Sequence, residues 1–193
     1  MICVRSMFSI TGLIPFIFSA AVNADTEKTI STETKPGNST LGSPHNQFDF
    51  LIGEWDVNAR TYQFDQVVAQ TKAVWTARYH DDKRLIIDEW RSIPKAGEDS
   101  QFWMTLRTYS DALQRWQIVG LQANQPTLAP TFLGEWRDNE MHMTAEVLVE
   151  QGPLQAKVRF YAITDNRFQW EMKMSIDGET WYTYQSAEAL RKT

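Results

Sequence analysis

Three charged residues interrupt otherwise apolar alternation: Asp88, Glu89 and Arg107. In Leu85-Ile86-Ile87-Asp88-Glu89-Trp90-Arg91, one strand register turns Asp88 and Trp90 to the interior, and the other turns Glu89 and Arg91 there. Either register brings a carboxylate inside. In the following run, Phe102, Met104 and Leu106 alternate with Trp103, Thr105, Arg107 and Tyr109. If the second set faces inward, Arg107 meets that carboxylate or an acidic group of a ligand, because its planar fork matches carboxylate geometry. A buried charge has to be paired or hydrogen-bonded. If the first set faces inward, Arg107 and Glu89 form an outer cross-strand pair that contributes little. The sequence leaves both arrangements open. An inward carboxylate also suits acid–base chemistry, with Asp88, Glu89 and Glu171 as candidates for a lyase or isomerase.

Other chemistry is harder to find. His45, His80 and His142 are too scattered for a zinc site, and His80-Asp81-Asp82 falls where a turn is expected. There is no nucleophile elbow, P-loop or dinucleotide fingerprint. No metal and no cofactor are expected. The net charge is −5 and no Lys/Arg block occurs, which argues against nucleic acid as a partner.

The elements that carry these residues are strands. Alternation predicts them near 54–63, 67–80, 83–92, 101–109, 114–122, 131–137, 140–150, 154–164, 167–176 and 180–189. Asp138-Asn139, Asp165-Asn166 and Asp177-Gly178 supply residues that tolerate left-handed backbone, as primed hairpin turns require. Strands joined by short turns pair antiparallel, and ten of them avoid two exposed edges by closing. The fold class is therefore all-β, an antiparallel up-and-down barrel. A short helix near 110–114 or 124–130 is the only helical alternative, with Pro126 and Pro130 favouring a loop in the latter.

Period two also sorts the faces. Ala73, Trp75, Ala77 and Tyr79 share one side of their strand; Met141, Met143, Ala145, Val147 and Val149 share another. Ala156, Val158, Phe160 and Ala162 and then Phe168, Trp170, Met172 and Met174 do likewise. The polar alternates face out, which leaves an apolar lumen. Methionines there suit varied apolar ligands, and equally suit an irregular core. Candidate ligand contacts are Trp75, Tyr79, Asp88, Glu89, Trp90, Trp103, Arg107, Met143, Phe160, Trp170 and Met172. A small, largely apolar molecule is the expected partner. An interaction module with a packed core remains the alternative, and the oligomeric state is open.

The first 24 residues read as a signal peptide: Arg5, an uncharged apolar run from Met7 to Phe18, and small residues up to Ala24 with Val22 and Ala24 at the cleavage positions. The run is too short to span a bilayer of about 30 Å, so no integral membrane segment is expected after cleavage. Its removal takes Cys3, the sole cysteine. Residues 25–46 are polar and rich in Ser, Thr and Pro, which predicts a flexible linker ahead of one domain over 47–193. The expected location is secreted or periplasmic.

The segment Phe48-Asp49-Phe50-Leu51-Ile52-Gly53-Glu54-Trp55-Asp56-Val57, with the meander after it, resembles the calycin superfamily of lipocalins and their relatives. That resemblance implies that Gly53 and Trp55 close one barrel end and have a structural role. The chain is also similar to a bacterial, often secreted, family of domains of unknown function. This similarity rests on residues 48–57, Asp-Glu-Trp-Arg at 88–91, Thr-Leu-Arg-Thr-Tyr at 105–109 and Ser-Ile-Asp-Gly-Glu-Thr-Trp at 175–181. Nitrobindin-like relatives hold haem through a late His, but none of the three histidines here lies in the last two strands. Fatty-acid-binding relatives carry a late Arg-x-Tyr, where this chain has Tyr182-Thr183-Tyr184. Neither ligand set transfers.

Overall fold

The computed structural model describes residues 43–63, 65–122, 125–149 and 152–193. The expected signal peptide, and the expected linker as far as residue 42, lie outside the described residues. The strands are β1 (Gly53–Gln63), β2 (Gln66–His80), β3 (Leu85–Ser92), β4 (Phe102–Ser110), β5 (Arg115–Gln122), β6 (Gln125–Leu128), β7 (Phe132–Arg137), β8 (Glu140–Val149), β9 (Gly152–Thr164), β10 (Arg167–Ser175) and β11 (Tyr182–Arg191). Consecutive strands pair antiparallel except at β6, where β5 pairs with β7 instead; β1 pairs with β11, and β4 pairs with β5 to close the ring. Ten strands make the barrel. The short β6 adds to the far end of β5, beyond the stretch that β7 occupies. Residues 125–128 are thus strand, and 111–114 a turn, where a helix had been an option.

Turn chemistry holds at some joints and not at others. Asp138 and Asn139 adopt φ of 53° and 60° between β7 and β8, as a primed turn needs. Asp165-Asn166 does turn the chain, but neither residue has positive φ. The left-handed residue is Ala162 (φ 49°), inside a register shift between β9 and β10. The bulge absorbs the twist that the turn would otherwise supply. The β10–β11 connection, residues 176–181, is longer than a tight hairpin. Asp177 Oδ1 accepts from the Glu179 and Thr180 amides at 2.9 and 2.7 Å, and Ser175 Oγ accepts from the Gly178 amide at 2.8 Å.

One end of the barrel is filled by the chain that precedes β1. Two 3-10 turns, Pro44–Asn46 and Asp49–Leu51, deliver Phe48 and Leu51 into the interior, where both are fully buried. Residues 44–46, expected to close the linker, form the first of these turns. Trp55 is fully buried and donates from Nε1 to the Leu51 carbonyl at 2.8 Å. Arg191, at the end of β11, lies over the Trp55 ring at 4.1 Å. It donates to the carbonyls of Ile52 (2.9 Å), Phe50 (3.3 Å) and Asp165 (2.5 Å). Gly53 has φ 128°, and a Cβ there would collide with the Arg191 guanidinium, so this glycine is required twice over.

Candidate functional site

Cross-strand partners point to the same side of a sheet. Asp88 lies opposite Ala77 and Thr105, and Arg107 opposite Ile86 and Ile118. These rows contain the buried residues, so Asp88 and Arg107 face inward. They are 2% and 3% exposed. Arg107 Nε donates to Asp88 Oδ2 at 2.6 Å and Nη2 donates to Oδ1 at 3.2 Å, the fork-on-carboxylate arrangement. Trp75 Nε1 donates to the same Oδ1 at 2.8 Å, and Arg107 Nη1 reaches Met143 Sδ at 3.8 Å. The guanidinium lies over the rings of Phe48 at 4.8 Å and Phe160 at 5.5 Å. Three donors engage both oxygens of the carboxylate.

Glu89 belongs on the other wall. Its partners are Thr76 and Met104, on the outward parity of β2 and β4, so it is corrected from lumen candidate to outer-surface residue. The outer Glu89–Arg107 pair does not form. Arg107 turns inward because β4 is held in register by Thr105 opposite Asp88 and Gly120, and Trp103 opposite Trp90 and Gln122.

The remaining candidates separate by depth. Trp75, Met143 and Phe160 are buried in the sealed half; Phe160 contacts Phe48, Phe50, Trp75 and Phe168 at ring separations of 5.6–5.9 Å. Tyr79 is tied down by its hydroxyl, which donates to the Asp49 carboxylate. Trp90, Trp103, Trp170 and Met172 also face inward, yet each stays half-buried. They lie away from the plug. Trp90 is one two-residue step beyond Asp88, roughly 6.7 Å further along β3, and Trp103 two such steps beyond Arg107 on β4. Trp90, Trp170 and Met172 pack against the buried core with part of their surface left accessible.

Two inward residues at that level escaped the sequence reading, Gln122 opposite Trp103 and Gln185 opposite Met172. Their polarity hid them, and register alone identifies them. Tyr184 sits at the register shift between β10 and β11, and burial pushes its phenol pKa above the ordinary value. The outer wall carries two shallow concavities of about 380 and 390 Å³. One is bordered by Asn58, Arg60, Tyr161 and Glu171, the other by Leu133, Thr144, Lys157 and Trp181. Among the described residues, no group of three His, Cys, Asp or Glu is placed to hold a metal ion, and no helix is long and apolar enough to cross a membrane.

No family model matches the chain, and no curated protein matches it. Solved structures do. The S-type phycobiliprotein lyase CPES from Guillardia theta superposes with a TM-score of 0.53 at 10% identity, over 79% of this chain and 94% of that one. Rv2717c from M. tuberculosis superposes with a TM-score of 0.54 at 11% identity, over 78% and 99%. Identities this low establish a shared fold alone. The chain is an all-antiparallel, ten-strand closed β-barrel, consistent with a calycin- or lipocalin-like fold.

Proposed function

We propose that the protein is a secreted or periplasmic barrel that binds a small, largely apolar molecule in the half of its lumen away from the plug. The observation that carries this reading is the set of inward-facing but half-buried Trp90, Trp103, Trp170 and Met172. Three indoles and a thioether offer a wide, polarizable lining, with Gln122 and Gln185 as neutral hydrogen-bonding groups. The signal-like first 24 residues support the location. In this reading Arg107 does not anchor the ligand's head group, because Asp88 already occupies it. It forms part of the floor.

A lyase reading has a namesake in the algal barrel, but that likeness extends to the fold only. The Asp88 carboxylate would first have to release Arg107 and Trp75 before accepting a proton. The binding reading is tested by fluorescence titration with an environment-sensitive fatty acid. Uptake should quench Trp emission, and Trp103→Ala combined with Trp170→Ala should weaken uptake about tenfold or more. A fatty acid, a retinoid and a tetrapyrrole that all leave the emission unchanged would sink the reading.

A further inference from the structure

The outer wall over β3–β6 has the composition of an interior. Leu85-Ile86-Ile87 and Phe102-Trp103-Met104 are apolar at consecutive positions, the pattern of strands covered on both faces. Ile86 and Trp103 turn inward with Asp88 and Arg107, so their neighbours turn out. Cross-strand register lines these up. Ile87, Leu106 and Val119 form one row across β3, β4 and β5; Met104, Leu121 and Leu128 form the next across β4, β5 and β6. Phe102 adds one further step, with the Arg91 guanidinium over its ring at 4.5 Å. Leu128 is 63% exposed and Leu106 39%, and the other members of both rows are part-exposed.

The opposite outer wall is charged, and its charges are paired. Arg159 meets Glu171 at 2.9 Å, His142 meets Glu140 at 3.1 Å, and Lys173 also reaches Glu171 at 3.7 Å. On the apolar wall the contrast is at the β2–β3 margin. Arg78 lies opposite Ile87 and Glu89 opposite Thr76, one row apart on neighbouring strands. Among the described residues, neither Arg78 nor Glu89 has an ion-pair partner.

A contiguous apolar face rimmed by polar groups marks an interaction surface. A barrel wall is convex across its strands and offers a helix no groove, whereas sheets pack face to face with their strands aligned. A two-fold axis running across the strands, between the two rows, makes this wall complementary to itself. It sets Leu106 against Met104 of the second copy and Val119 against its Leu121. It also brings Arg78 of each copy beside Glu89 of the other, so both unpaired charges gain a partner. From β3 to β6 the face spans about 15 Å, with about 13 Å from Ile87 to Arg91 along the strand. That size suits a weak, reversible association rather than an obligate one.

We propose that this wall is the contact face of a symmetric dimer, two barrels packed sheet to sheet about that axis. The contact makes no use of the lumen, so it stands or falls apart from ligand uptake.

The test is sedimentation equilibrium of the full chain at concentrations up to about 1 mM, where even weak specific association registers. Wild type should show a monomer–dimer equilibrium. Leu106→Glu should raise the dissociation constant about tenfold or more. Ile176→Asp, in the β10–β11 connection at the mouth (the end away from the plug), should leave it unchanged, although Ile176 is 83% exposed. Arg78→Glu should weaken the dimer, and adding Glu89→Arg should restore it, because the exchange rebuilds both ion pairs. A monomer at every concentration overturns the proposal, as does a dimer that Leu106→Glu leaves intact or that Ile176→Asp weakens equally. Failure of Glu89→Arg to rescue Arg78→Glu overturns it too. So does a chain that stays monomeric and floats with phosphatidylcholine vesicles until Leu106→Glu releases it, since lipid would then be the occupant.

Discussion

The two ends of this barrel use the same kinds of residue for opposite purposes. At the sealed end Phe48, Trp55, Phe160 and Phe168 are fully buried, with ring separations from 4.7 Å (Trp55–Phe168) to 5.9 Å (Phe48–Phe160). At the other end Trp90, Trp103 and Trp170 point into the same interior and remain half-buried. Residue type does not distinguish them. What does is whether the chain supplies something to pack against, and only one end receives a segment folded in from before β1. Asp88, Arg107 and Trp75 form the boundary, a polar floor saturated from within. An aromatic interior is therefore evidence of a ligand site only where the protein leaves its aromatics unfinished.

That contrast yields an ordered set of expected outcomes. Phe48→Ala removes a ring that touches Trp116, Phe160 and Arg107 and should destabilise the fold by about 3–5 kcal/mol, read by denaturant unfolding. Trp103→Ala should cost about 1 kcal/mol, within the ordinary range for a part-exposed site. Equal costs would abolish the distinction between the ends. Asp88→Leu or Arg107→Met alone should also cost about 3–5 kcal/mol, since each strands a buried charge. Asp88→Leu with Arg107→Met should cost less than the two singles together, and strict additivity in that cycle would show that the pair is not a unit.

Smaller effects follow. Gly53→Ala should cost about 1–3 kcal/mol, from strained backbone and displacement of Arg191. Gly97→Ala, in the β3–β4 connection at the mouth, also meets positive φ (84°) but open space, and should cost less. The smallest effect concerns Asp177 at the mouth. The Thr180 amide, then the Glu179 amide and the Ser175 hydroxyl, hold its carboxyl well below the usual carboxylate range. A depressed folded pKa contributes stability above the unfolded value of about 3.9, lost as pH falls through the folded value. Hydrogen-exchange protection of the Glu179 and Thr180 amides, corrected for the intrinsic rate at each pH, should therefore be present at neutral pH and fall away in strong acid. In Asp177→Ala that protection should be absent throughout.

Most of the strand pattern is legible in the sequence because period two is local. The facing of β3 was not. Asp88 and Glu89 are adjacent carboxylates, so either register satisfied the pattern, and only pairing with β2 and β4 decided between them. Trp90, Trp103, Trp170 and Met172 were named from the sequence without any sign that they differ from Trp75 and Phe160. Burial depends on the plug, and the plug's reach is a matter of tertiary geometry. The Asp165-Asn166 turn misled on its backbone angles because the left-handed residue, Ala162, carries no turn signature. β6 was hidden by Pro126 within it and Pro130 just after it.

Arg191, at the end of β11, fastens a segment 139 positions earlier. The strand it ends, β11, also completes the ring by pairing with β1. A ribosome delivers that residue after every strand of the barrel. Until then the plug has no clasp, the first strand lacks its second neighbour and the aromatic interior cannot shut. Closure of the ring thus waits for β11, and an emerging polypeptide stays pliable until that strand has been made.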